Sequence, residues 1–97
     1  MICEAVALAE HIGERATLSF IAKFCDKSPS SYLRRRIRTL CNYYILSESE
    51  FRHWNGTIAY QYTLHMDMLR IHAPDVADII DKEYVLRRQQ LPMFADV

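Results

Sequence analysis

Asn55-Gly56 sits between two candidate strands, Ile45 to Trp54 and Thr57 to Leu64, and polar and apolar side chains alternate over the eight residues of the second. An Asn-Gly pair flanked by alternation is the strongest short-range signal for a β-hairpin, because both residues tolerate positive φ. A two-residue turn here pairs Trp54 with Thr57, His53 with Ile58, Arg52 with Ala59 and Phe51 with Tyr60. That register puts Phe51, Ile58, Tyr60, Tyr62 and Leu64 on one face, opposite Glu50, Arg52, Gln61 and Thr63. A hairpin so placed forces the rest of the chain to supply the layer it packs on.

The segments before it read as helices. Ala5, Leu8, Ala9 and Ile12 fall at i, i+3, i+4 and i+7, and Gly13 closes that helix in the left-handed region. Thr17 is an N-cap for a second helix whose core stripe is Leu18, Ile21, Ala22 and Cys25. Ser28 as N-cap and Pro29 at the first position start a third helix, from Pro29 to Tyr43. Leu33, Ile37, Leu40, Cys41 and Tyr44 are spaced for the core. Ser31, Arg34, Arg35, Arg38 and Asn42 take the opposite face, with Arg36 on the flank.

After the hairpin, Met66 and Leu69 form a short helical turn. A last helix is predicted from Pro74 to Gln90, with Asp75 and Asp78 in its first turn and Arg87 and Arg88 in its last. The fold class is therefore mainly α with a small β-hairpin. We divide it into residues 1–65, a helical extension over 66–90, and a tail over 91–97.

Hydrophobic content of 51% and charged content of 25% are ordinary for a folded domain. Net charge is zero but unevenly spread. Residues 1–10 carry −2, residues 11–65 hold eight basic groups against four acidic, and residues 66–97 carry −2. Four arginines fall within Arg34–Arg38, and no acidic residue stands between Lys27 and Glu48. A basic centre between acidic ends suits a polyanion, since binding follows local potential rather than net charge.

The ordered set Thr17-Leu18-x-x-Ile21-Ala22, Ser28-x-Ser30, Leu33-x-x-x-Ile37-x-x-Leu40 and the Ile45–Leu64 hairpin resembles the winged helix-turn-helix superfamily of small bacterial and phage transcription regulators. The resemblance covers about half of the chain. It implies that residues 29–43 are a recognition helix for the major groove of double-stranded DNA, and residues 46–64 a wing on the backbone or minor groove. The chain departs from the family in having Asp26 where the turn usually has Gly. Another glycine, after the recognition helix, is also missing, leaving Asn42 best able to take φ > 0.

The candidate DNA contacts are Ser28, Ser30, Ser31, Arg34, Arg35, Arg36, Arg38 and Asn42, with Arg52, His53 and Trp54 beside the wing tip. Arg34, Arg35 and Arg38 suit guanine edges or phosphates, and Arg36 suits phosphate. For Trp54 the plainer expectation is cross-strand packing, and for Tyr60 and Tyr62 it is packing of the wing onto the core. Val76, Ile79, Ile80 and Tyr84 are candidates for a homodimer surface, because one module offers few base contacts.

A second expectation comes from the tail. Gln90-Leu91-Pro92-Met93-Phe94 resembles the pentapeptide by which bacterial replication and repair proteins bind the sliding clamp, with Gln90, Leu91, Met93 and Phe94 as contacts. The alternatives to a regulator are thus a replication-associated adaptor and a winged module used only for protein contacts.

No nucleophile–base pair or phosphate-cradling glycine loop is visible, so an enzyme is not expected, and no cofactor or metal is implied. Cys3, Cys25 and Cys41 are an odd set without C-x-x-C spacing, and His11, His53, His65 and His72 lack ligand spacing. Without an apolar span or signal pattern, the expected location is the cytoplasm, at the nucleoid.

Overall fold

The computed structural model describes residues 1–26 and 30–85. The chain is mainly helical, with one two-stranded antiparallel sheet. Three helices come first: α1 (Ile2–Ile12), α2 (Leu18–Phe24) and α3 (Ser31–Asn42). The hairpin strands β1 (Leu46–Arg52) and β2 (Ile58–Leu64) follow, then α4 (Met66–His72) and α5 (Pro74–Ile80). The chain continues from α5 into a π-helical turn, Asp81–Val85.

α1 lies at the centre of the core. Cys3, Ala5, Val6, Ala7 and Ala9 are all buried, because small side chains let neighbouring elements approach its backbone closely. Ile21 and Ala22 of α2, Leu33 and Ile37 of α3, Leu69 of α4, and Ala77 and Ile80 of α5 complete the cluster. Ile12, expected in the stripe, is 53% exposed at the end of α1.

The first three helices end in left-handed residues: Gly13 (φ 76), Asp26 (φ 54) and Tyr44 (φ 61). Behind α1, Gly13 N–H donates to Glu10 and Glu14 N–H to Ala9. Behind α3, Tyr44 N–H donates to Cys41 and Ile45 N–H to Leu40, the same paired closure of orphan carbonyls. Asp26 thus takes the conformation that a turn glycine would take. Asn42 does not; it stays helical and the turn falls on Tyr44. Ending the helix at Asn42 also takes Tyr44 off the core stripe, leaving it 73% exposed.

The N-caps are Thr17, whose Oγ1 accepts from Phe20 N–H at 3.2 Å, and Ser30, whose Oγ accepts from Leu33 N–H at 3.2 Å. The third helix therefore starts one turn-residue pair later than Ser28 and Pro29 suggested; those two lie outside the described residues.

The hairpin register differs by one residue from the sequence-based expectation. Leu46 pairs with Leu64, Glu48 with Tyr62, Glu50 with Tyr60, Phe51 with Ala59 and Arg52 with Ile58. The turn is the reason. His53 N–H donates to Thr57 O and Gly56 N–H to His53 O, both at 2.9 Å, so the loop is Trp54-Asn55-Gly56. Only Gly56 (φ 86) is left-handed there, which is a type I turn closed by a glycine bulge rather than a two-residue turn. Asn55 Oδ1 accepts from Thr57 N–H at 3.0 Å and holds the tip.

A one-residue slip changes which side chains share a face. Glu48, Glu50 and Arg52 join Tyr60 and Tyr62 on one side, while Phe51 moves to the other with Ala59 and Gln61. Only the base of the arm, Leu46 and Leu64, is buried. Tyr62 N–H donates to Ala16 O at 2.9 Å, and Leu64 N–H donates to the Glu10 carboxylate at 3.1 Å. Those two bonds pin β2 to the loop and helix before α2, and the far end of the arm, Arg52 to Ile58, is exposed.

At the other end, Arg70 donates to both carboxylate oxygens of Asp81 at 2.9 and 3.0 Å, tying α4 to the π-helical turn. Ile80 is 1% exposed, Val76 packs on the core, and Tyr84 sits against the His11 ring at 5.6 Å. Of the four residues proposed for a dimer surface, only Ile79, 51% exposed, faces outward. The predicted helix beyond Val85, with Arg87 and Arg88, and the Gln90–Phe94 segment (Gln90, Leu91, Met93, Phe94) lie outside the described residues.

Candidate nucleic-acid interface

α3 buries little of itself. Leu33 and Ile37 face the core, Leu40 and Cys41 flank them half-buried, and the remaining surface carries Ser31, Arg34, Arg35, Arg36, Arg38 and Asn42, all exposed. Among the described residues none of the four arginines is in an ion pair. An unpaired guanidinium keeps its donors for a ligand.

Arg34, Arg38 and Asn42 form one wall of a groove of about 760 Å³. Glu48, His53, Tyr60 and Tyr62 of the hairpin form the other, and Thr17, Leu18 and Ser19 close the end. Arg34, Arg38, Asn42 and His53 are therefore brought together. Arg35, Arg36 and Ser31 lie on α3 outside the groove, and Arg52 and Trp54 lie further out on the arm. Ser30 is used as a cap.

Glu48, Tyr62 and Cys41 are members of this site that the sequence did not single out. Tyr62 Oη donates to Glu48 Oε2 at 3.0 Å. Partial burial and the neighbouring Glu48 carboxylate push the Tyr62 phenol up to about 12, with Arg34 acting weakly in the opposite sense. Burial also raises the Cys41 thiol, Glu48 adds to this and Arg38 opposes it. A carboxylate thus stands across the groove from two arginines without pairing with either. A tyrosine three-quarters of the way down a strand gives no local sign of such a bond; the shifted register creates it.

The other side of the arm is built differently. The Arg15 guanidinium stacks on Phe51 at 4.3 Å, and its Nη1 donates to Gln61 Oε1 at 2.8 Å. A shallower cleft of about 530 Å³ lies there, lined by Glu14, Arg15, Lys23, Phe20, Phe51 and His53 among others. His53 packs edge-on against Phe51 at 5.0 Å.

At the tip Trp54 is 98% exposed, so the cross-strand packing expected of it does not occur. Tyr60 is 46% exposed, and only Tyr62 of these two hairpin tyrosines packs on the core.

Among the described residues no group of three or more His, Cys, Asp or Glu could hold a metal ion, and no helix is long and apolar enough to cross a membrane. No family model, curated protein or solved structure matches the chain.

Proposed function

We propose that the chain binds double-stranded DNA as a winged helix-turn-helix module, with α3 in the major groove and the hairpin as the wing. The observation that carries this reading is the set of four exposed, unpaired arginines on α3 beside a β-hairpin with an exposed tip. Twelve residues of helix extend about 18 Å, enough to cross a groove about 12 Å wide. Arg34 and Arg38, one helical turn apart on the groove wall, read base edges bidentately. Arg35, Arg36 and Arg52 neutralise phosphates.

Glu48 refines the assignment. A carboxylate fixed by Tyr62 repels a phosphate, so the space it shares with Arg34 and Arg38 takes base edges, where it accepts from cytosine amino groups. That division of labour makes binding sequence-specific, and a regulator of transcription is the role it serves. Selection from randomised duplexes tests this. A consensus should emerge, and Arg34→Ala or Arg38→Ala should relax one position of it at a cost of about 1–3 kcal/mol each. Failure to enrich any sequence overturns the proposal.

A further inference from the structure

We propose that the tip and outer side of the wing bind an unpaired nucleotide strand, so that the preferred ligand is a duplex carrying a single-stranded extension. This rests on the reading of the region as a nucleic-acid interface and names a second ligand element for it.

Three features on the page converge. Trp54 is the chain's sole tryptophan and is 98% exposed at a turn position that accepts most residues. An aromatic side chain ordinarily removes about 150–250 Å² from water, and this one removes almost nothing. Its backbone is nonetheless fixed by the hydrogen bonds of the turn, which present the indole outward. On the other side of the arm from α3, the Arg15–Lys23 cleft holds two cations with no ion-pair partner among the described residues and one carboxylate, Glu14, so it is net positive by one charge. Arg15 is immobilised between Phe51 and Gln61, so its charge is preset rather than recruited.

An exposed aromatic at the tip of an arm that also borders a net-positive cleft through Phe51 and His53 is an arrangement that suits single strands: bases stack on the aromatic face and phosphates follow the positive surface. An unbroken duplex fits less well. Its minor groove is about 6 Å wide, and the wedges that enter it are compact apolar side chains rather than an indole.

The sole tryptophan is also the reporter. Labelled DNA is titrated into the protein in three forms: a blunt duplex, the same duplex with a short extension, and the extension alone. Anisotropy gives affinity and indole emission gives contact at Trp54. The extension should tighten binding about tenfold and quench the emission, while the blunt duplex leaves emission unchanged. Trp54→Ala should abolish the tenfold gain, and Lys23→Ala should lower the salt slope on the extended form by about one.

Equal quenching by blunt and extended duplexes overturns the proposal in favour of minor-groove entry. Equal affinities for the two duplexes with unquenched emission overturn it while leaving duplex binding intact. Binding of the extended form without the blunt one upholds it and defeats the duplex reading instead. Absence of binding to all three defeats both.

Discussion

α1 and α3 are nearly equal in length, 11 and 12 residues, and the fold uses them in opposite ways. α1 is lined with alanine and buries five residues, whereas α3 is lined with arginine and buries two. The small side chains of α1 bring its backbone close to α2, β2 and the C-terminal turn, so dispersion contacts and excluded water concentrate there. α3 touches the core along a narrow stripe and leaves long, unpaired cations in solvent. Stability and the proposed binding face are therefore lodged in different helices, and substitutions should separate them.

The largest effect should come from placing a charge in α1. Ala5 is fully buried, and Ala5→Glu strands a carboxylate in a hydrophobic core; that costs upward of about 4 kcal/mol. Total stability for a domain of this size is of order 5–15 kcal/mol, so circular dichroism should show a largely unfolded or barely folded chain. A cooperative native melt would show that α1 is not the keystone.

Ile37→Ala, on the stripe that anchors α3, should cost about 2–5 kcal/mol by urea titration. A smaller loss, under about 1 kcal/mol, would mean that α3 is held mainly by its ends. Caps contribute less: Thr17→Ala and Ser30→Ala should each lose about 1 kcal/mol.

The Tyr62–Glu48 bond gives a pH signature. The phenol's folded value, about 12, lies above the ordinary value of 10.0, so the folded state holds its proton longer than the unfolded chain. The associated stability is fully present below pH 10 and is lost as pH rises towards about 12. Ultraviolet titration should show one late-ionising tyrosine that disappears in Tyr62→Phe. Were the two titrations to superimpose, the bond would be absent in solution.

Smallest of all, Arg35→Ala should change stability by no more than about 0.5 kcal/mol, because the side chain is exposed and unpaired. Any larger loss would blur the contrast between the two helices.

Much of this architecture was legible in the residues. Thr17 as a cap, Gly13 as a stop, the Leu33–Ile37 stripe and the arginine face of α3 all follow from local periodicity, which a helix imposes without reference to its neighbours. The hairpin was legible as a hairpin, but its register was not. Asn55-Gly56 permits both a two-residue turn and a three-residue turn with a bulge, and the two differ by one position along the whole arm.

Contacts from outside the hairpin accompany the register that forms. Arg15 stacks on Phe51 and bonds Gln61 on the outer side, and Ala16 takes the N–H of Tyr62. Those partners sit more than thirty residues upstream, so no window along the arm contains them. The same holds for α5, where of the residues read as a pairing surface the fold buries Ile80 in its own core and leaves Ile79 exposed. Composition and period therefore decided which elements form and where the positive charge falls. Tertiary packing decided which faces those elements keep, because a face is assigned by whatever surface arrives to cover it.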